Sequence, residues 1–260
     1  MKFSNKVAIV TGSSNGIGQA TAVLLAAEGA SVTIHGRSED GLKKTKELML
    51  EKGVHSDRIL LVQGEIEKDE TISDLIQKTI EKFGKIDVLV NNAGVAVVGE
   101  LESESMENYE YLHSVNVKSI IKLNRSAEPH LAKTKGNIVN VGSVTSIMPK
   151  PTLLYYAMAK ASLDHYTRSR THELAKNGIR INNVNPGLIK TNCFAASGMT
   201  ADEEKRFFEN VEENIPMGRA GKSEEIAKDA SLLARKAMID AISSGCARRP
   251  MGIRLRSASS

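Results

Sequence analysis

Short runs of apolar residues alternate along the chain with stretches of helical periodicity, and this alternation sets the expected architecture. Val7-Ala8-Ile9-Val10 contains no polar residue, as a parallel strand covered on both faces requires. Thr11-Gly12 ends it. Glycines follow at 16 and 18 before a predicted helix over Gln19–Gly29, in which Ala22, Leu25 and Ala26 share a face. The same order then repeats. Strands are predicted at Ser31–His35, Arg58–Val62, Ile86–Val90, Asn137–Val141 and Ile179–Val184. Between them the periodicity predicts helices over Glu39–Lys52, about Glu70–Phe83, about Glu107–Lys133 (with Pro129 bending or interrupting it) and Tyr155–Asn177. A last helix is expected to start from Ser223 as its cap and to run to about Lys236.

Alternation of this kind folds as an α/β doubly wound parallel sheet of six to seven strands, with helices on both faces and right-handed crossovers. Ligands bind such sheets outside the carboxyl ends of the strands. Gly12, Gly36, Asn91, Ser143 and Pro186 all fall at those ends. No repeat or low-complexity linker divides the chain, so 1–236 is expected to be one domain, followed by a tail at 237–260.

Composition changes this picture in three places. An apolar share of 41% and a charged share of 25% are ordinary for a globular chain. No apolar run approaches the roughly 20 residues of a membrane span, and Met1-Lys2-Phe3-Ser4-Asn5 leads into the first strand without a signal-peptide pattern. Cys193 and Cys246 alone argue against a disulfide framework and for a reducing compartment, with the cytoplasm as the expected one. The net charge of +4 belongs to the tail, because residues 241–260 hold Arg248, Arg249, Arg254 and Arg256 and no acid. The rest balances at 31 basic and 31 acidic side chains, so no nucleic-acid face is expected. The absence of Trp and an aromatic share of 4% offer no base-stacking platform either.

Candidate chemistry sits at the strand ends. The Gly12, Gly16, Gly18 turn between a buried strand and a helix sets a helix N-terminus against a phosphate, where bare N–H groups and the helix dipole favour negative charge. Tyr156 and Lys160, four residues apart, lie on one helix face, whereas Tyr155 points elsewhere. A phenol with pKa near 10 is a poor base at neutral pH, and a neighbouring ammonium lowers that value toward the range where proton transfer is effective. Ser143 ends the strand that feeds the same cleft, and Asn116 is a polar residue within a half-apolar helix.

Gly12-x-x-x-Gly16-x-Gly18 after Thr11, the Asn91-Asn92-Ala93-Gly94 stretch, the Tyr156/Lys160 pair behind Ser143, and Pro186-Gly187-Leu188-Ile189-Lys190-Thr191 together resemble the short-chain dehydrogenase/reductase family, over about residues 5–236. The resemblance implies a dinucleotide-binding Rossmann domain and hydride exchange between a nicotinamide and a carbonyl carbon. It places a catalytic tetrad at Asn116, Ser143, Tyr156 and Lys160: Tyr156 moves the proton, Ser143 holds the substrate oxygen, Lys160 tunes Tyr156 and holds the nicotinamide ribose, and Asn116 anchors a water leading to Lys160. It places cofactor contacts at Gly12, Ser14, Asn15, Gly16, Ile17, Gly18, Arg37, Glu65, Asn92, Ala93, Gly94, Pro186, Gly187, Ile189 and Thr191. Glu65 stands where the family commonly has Asp, and Gly142 where a first Ser of a Ser-Ser pair is common. After Leu233 the family pattern fails, since the Thr-Gly and Val-Asp-Gly-Gly elements of a seventh strand are missing.

The cofactor expectation is NADP(H), with NAD less favoured. An acid at the end of the second strand would bind ribose hydroxyls and repel a 2′-phosphate; here Gly36 replaces it, and Arg37 offers a fork of donors. Expected partners are a small carbonyl or alcohol substrate, no metal, and a second copy of the chain in a homodimer built on the two long helices, with the tetramer contact failing. The segment Asn192–Met199 occupies the place of a substrate lid, and its small apolar residues suggest a modest hydrophobic carbonyl compound over a sugar. A catalytically idle cofactor-binding or partner-binding protein is the alternative, and epimerisation on the same fold a third. The tail is expected to be poorly ordered, leaving the sixth strand as an open edge.

Overall fold

A computed structural model of the protein describes residues 1–96, 104–191, 200–213 and 215–235. The expected lid, 192–199, and the expected basic tail, 237–260, both lie outside the described residues. Among the described residues six parallel strands form the sheet: β1 (Val7–Val10), β2 (Ser31–Gly36), β3 (Ile59–Gln63), β4 (Val88–Asn91), β5 (Asn137–Val141) and β6 (Arg180–Val184). They stand in the order β3-β2-β1-β4-β5-β6, so the connection reverses direction between β1 and β4. The crevice that this reversal opens is where a doubly wound sheet binds its ligand.

Alternation along each strand sorts the core into two layers, because successive side chains leave a strand on opposite faces. Ala8, Val10, Val32, Ile34, Val88 and Val90 pack under α1 (Gly16–Ala27), α2 (Glu39–Glu51) and a helix near the described C-terminus, Ser223–Ala234. Ile9, Leu89, Ile138 and Ile181 pack on the other face, under α3 (Asp69–Phe83) and residues such as Leu123 and Leu131 of the helix Ser119–Thr134. Burial on both faces is why these strands are read as unbroken apolar runs.

The predicted helix over 107–133 is not one element. It divides into α4 (Met106–His113), a π-type turn at Ser114–Lys118 and α5 (Ser119–Thr134). The interruption falls not at Pro129, which α5 passes through, but at the turn, where the Ser119 N–H donates to the Ser114 carbonyl. Single π-type turns of this kind often mark functional positions, and Asn116 sits in this one. The helix α6 (Leu154–Lys176) follows β5. A small ladder joins β7 (Ile189–Lys190) to β8 (Gly221–Lys222), with α7 (Ala201–Glu212) between them and α8 (Ser223–Ala234) after. Ser223 does not cap α8: the cap position is Lys222, whose N–H donates to the Glu225 carboxylate at 2.8 Å. The end of α8 is anchored to the sheet, since Asn137 and Arg180 both donate to the Leu233 carbonyl, and Arg180 also to that of Arg235. Among the described residues β6 pairs only with β5.

A buried chain of amides ties the middle of the sheet to the helices behind the site. Asn91 Nδ2 donates to Asn124 Oδ1 and Asn140 Oδ1, each at 2.8 Å, and Asn140 Nδ2 donates to Thr167 Oγ1 at 2.8 Å. Thr167 Oγ1 in turn donates to Asn183 Oδ1 at 2.9 Å. Replacing Asn91 by Ala leaves two buried acceptors without their donor. Asn91→Ala is therefore expected to lose about 2–4 kcal/mol of stability, read by urea unfolding followed by circular dichroism.

Candidate active site

The first constraint is how closely the turn after β1 approaches the turn after β4. Thr11 Oγ1 accepts the N–H groups of Asn92 and Ala93, both at 3.0 Å. Asn92 Nδ2 donates to the carbonyls of Thr11 and Gly12, both at 2.9 Å. Only a glycine fits at two positions of this seam. Gly12 has φ +63°, and a Cβ there would stand 2.7 Å from Ala93 Cα; one at Gly18 would stand 2.3 Å from the Gly12 carbonyl oxygen. Beyond the seam, α1 begins at Gly16, three residues earlier than predicted, with Asn15 extended and giving no side-chain cap. Its first turn holds no acid, and among the described residues Asn15 gives its leading N–H groups no side-chain cap, an arrangement that suits a bound phosphate.

His35, the next to last residue of β2, supports the turn from below. It is 2% exposed, and its Nδ1 accepts the Gly12 N–H at 3.4 Å. Burial pushes its pKa down to about 4, which keeps the ring neutral and able to accept. Ser13 adds a reciprocal pair: its N–H donates to the His35 carbonyl at 2.7 Å, and its Oγ accepts the His35 N–H at 2.9 Å.

Around this turn lies a cleft of about 620 Å³. Of the residues expected to touch the cofactor, Gly12, Ser14, Asn15, Gly16, Ile17, Arg37, Asn92, Ala93, Gly94 and Thr191 line it. Gly18 is buried beneath the seam. Glu65 is exposed and paired with Lys68 across 3.8 Å; it is not on the cleft wall, which Ile66 and Glu67 form instead. Pro186, Gly187 and Ile189 stand outside the lining. Pro186 accepts the Val144 N–H at 3.0 Å, next to Ser143, and Ile189 packs on the first core layer. A Cβ at Gly36 would lie 2.9 Å from Ser14 Oγ, so a side chain there would have to move Ser14. The sequence reading passed over His35, Glu67, Tyr111, Val95 and Val115, all of which line the cleft. A histidine closing an apolar strand was the one available signal among them.

Asn116, Lys160 and Tyr156 come together beside this cleft, and Ser143 stands two residues past Val141 at the end of β5, whose carbonyl holds Lys160. Asn116 is fully buried; its Nδ2 donates to the Val95 carbonyl at 2.8 Å and its Oδ1 accepts the Val95 N–H at 3.0 Å. Lys160 is 4% exposed, and its Nζ donates to the Val141 carbonyl at 2.8 Å. Burial lowers its pKa to about 8. Its Nζ stands 5.7 Å from the centre of the Tyr156 ring, one helical turn away. Tyr155 instead donates from its hydroxyl to the Glu104 carbonyl at 3.0 Å and packs edge-on against Tyr109. Ser143 Oγ accepts from the Thr145 N–H at 3.1 Å and from Thr145 Oγ1 at 2.9 Å, which leaves its own O–H as a donor. Gly94 joins the two regions: it lines the cleft, and a Cβ on it would reach Asn116 Oδ1 at 2.7 Å and Lys160 Nζ at 3.5 Å.

Two outcomes follow. Gly94→Ala forces the buried Asn116 amide off Val95, so kcat/KM is expected to fall about tenfold or more and the melting temperature to fall with it; steady-state kinetics and calorimetry check this. The depressed His35 pKa also has a sign. Between about 4 and the ordinary 6.5 the folded chain binds fewer protons than the unfolded chain, so the His35 contribution favours folding fully above that window and is lost as pH falls through it. His35→Asn retains an acceptor for Gly12 without titrating, so the parent is expected to lose more melting temperature than the variant between pH 6.5 and pH 4.5.

Comparison with known proteins agrees with this geometry. A family profile described as enoyl-(acyl carrier protein) reductase matches residues 12–240. The meso-2,3-butanediol dehydrogenase of Serratia marcescens is 34% identical over 90% of this chain and 89% of its own. A short-chain dehydrogenase/reductase of Caenorhabditis elegans, solved with cofactor, superposes with a TM-score of 0.87 at 42% identity, covering 90% of this chain and 89% of that one. A 3-oxoacyl-(acyl-carrier-protein) reductase of Agrobacterium tumefaciens, solved with NADP bound, gives a TM-score of 0.80 at 29% identity over 90% and 89% of the two chains. The seam of turns at Gly12 and Asn92, the buried Lys160 one turn from Tyr156 and these likenesses converge: the chain belongs to the short-chain dehydrogenase/reductase family of oxidoreductases.

Proposed function

We propose that this chain is an NADP(H)-dependent oxidoreductase that interconverts a hydrophobic carbonyl compound and its secondary alcohol. The observation that carries the reading is Gly94, which lines the cleft around the Gly12 turn and lies against Asn116 and Lys160. A bound nicotinamide supplies or accepts the hydride. The chain supplies position and a proton. In reduction the Tyr156 hydroxyl gives its proton to the substrate oxygen, and in oxidation the phenolate takes it back. Ser143 donates its O–H to the same oxygen where charge develops. Lys160, a buried cation beside Tyr156, stabilises the phenolate left behind. Asn116, with both ends of its amide on Val95, holds the floor beneath Gly94, so it orders the backbone as well as the water the resemblance assigns to it.

Arg37 and Gly36 support NADP(H) over NAD(H). The first lines the cleft with its side chain exposed, and the second presents no carboxylate. The NADP-bound Agrobacterium relative is in keeping with this choice. Apolar side chains near the tetrad support the substrate class: Ile147 and Met148, in the loop between Ser143 and α6, are 72% and 61% exposed, and Leu154 and Met158 of α6 are exposed as well. A dimer built on α5 and α6 is the proposed assembly. No helix among the described residues is long and apolar enough to cross a membrane.

A panel of ketones and secondary alcohols with NADPH and NADH tests the activity. Tyr156→Phe is expected to lower kcat by about a hundredfold or more with cofactor affinity retained, and Arg37→Asp to reverse the cofactor preference in kcat/KM. No turnover with any pair, beside clear NADPH binding, would sink the enzyme reading in favour of an idle binding protein.

A further inference from the structure

We propose that Thr145 is a positioning residue for the reaction: its hydroxyl fixes Ser143 as a hydrogen-bond donor toward the substrate oxygen. The inference rests on the oxidoreductase reading and deepens it at the same site. Ser143 caps the short turn Val144–Ser146, and two groups of Thr145 converge on its Oγ. The Thr145 N–H donates to it at 3.1 Å and the Thr145 hydroxyl at 2.9 Å. A serine hydroxyl has two lone pairs and one hydrogen. Both lone pairs are taken here, so the hydrogen is the one capacity left for a ligand.

The turn that carries both residues is itself held. The Gly142 N–H donates to the Val184 carbonyl at 2.7 Å and the Val144 N–H to the Pro186 carbonyl at 3.0 Å, which ties the turn to β6 and the segment after it. The Ser146 N–H closes it on the Ser143 carbonyl at 3.0 Å. Ser143 is 6% exposed, so water has little access to take the place of Thr145. A donor held in this way needs no reordering when charge develops on the substrate oxygen, and a hydroxyl that accepts a further bond is a stronger donor. The polarity matters in oxidation as well. With a lone pair free, Ser143 would accept the O–H of a bound alcohol and draw that hydrogen away from the Tyr156 phenolate that has to take it. The Thr145 hydroxyl closes off that orientation.

Thr145→Val removes the hydroxyl and keeps the branched shape, whereas Thr145→Ser keeps the hydroxyl and removes the methyl. Steady-state rates with the panel of ketones and secondary alcohols read the effect on turnover, and isothermal titration with NADPH reads cofactor binding. Thr145→Val is expected to lower kcat about tenfold in both directions with NADPH affinity changed less than about twofold, and Thr145→Ser to stay within about threefold of the parent. Parental kcat in Thr145→Val would overturn the role given to the hydroxyl while the oxidoreductase reading stands. So would a loss in Thr145→Ser as large as in Thr145→Val, which makes Thr145 a packing residue, or a fall in NADPH affinity equal to the fall in kcat. A parent without turnover, or a Ser143→Ala variant with the kcat of the parent, would overturn the reading of the site and the inference with it.

Discussion

Everything in the site depends on how near two backbones come. The turns after β1 and β4 are joined through Thr11 and Asn92, with a carbonyl and an α-carbon where side chains at residues 12 and 18 would otherwise stand. The same approach points the bare N-terminus of α1 into the crevice and fixes where Ala93, Gly94 and Val95 run. Backbone donors held by a sheet need no reordering when an anion arrives, which is why a seam of main chain makes a better phosphate site than a cluster of mobile lysines.

From Gly94 the constraint passes to the chemistry. Asn116 uses both ends of its amide on Val95, and it can do so only because the wide turn between α4 and α5 turns it inward. Lys160 lies behind the same glycine, almost without solvent, its ammonium held by a main-chain carbonyl at the end of β5. Burial makes that charge costly to keep, and it stands one helical turn from the Tyr156 ring, where the proposed mechanism would use it. The polar chain from Asn91 through Asn140 and Thr167 to Asn183 links β4, β5, α6 and β6 behind the site. It fixes the strand carrying Ser143 against the helix carrying the other two groups, and misplacement on the scale of an ångström is expensive in catalysis.

Much of this was legible in the sequence, for local reasons. Val7–Val10 and the glycines after it announce strand, turn and helix within a dozen residues, and the spacing of Tyr156 and Lys160 places them on one face without tertiary knowledge. What escaped depends on distant contacts. The wide turn at Ser114–Lys118 is stabilised by what Asn116 finds at Val95, so periodicity alone shows one long helix and blames the proline. His35, Glu67 and Tyr111 become neighbours of the cleft only when β2, β3 and α4 converge. Glu65 was placed on the cofactor by family position, whereas the loop after β3 presents Ile66 and Glu67 to the cleft. At Lys222 the cap is set by the reach of the Glu225 carboxylate to a backbone N–H, a pairing that a search for hydroxyl caps passes over.

A crystal structure of the full chain with NADPH bound tests the central claim most directly. The account predicts the pyrophosphate on the N–H groups that open α1, the adenosine between Arg37 and the Ile66–Glu67 wall, and the nicotinamide ring passing over Gly94 to face Ser143 and Tyr156. A dinucleotide seated elsewhere, or one whose nicotinamide lies away from Tyr156 with Lys160 on the far side of the ring, would contradict it.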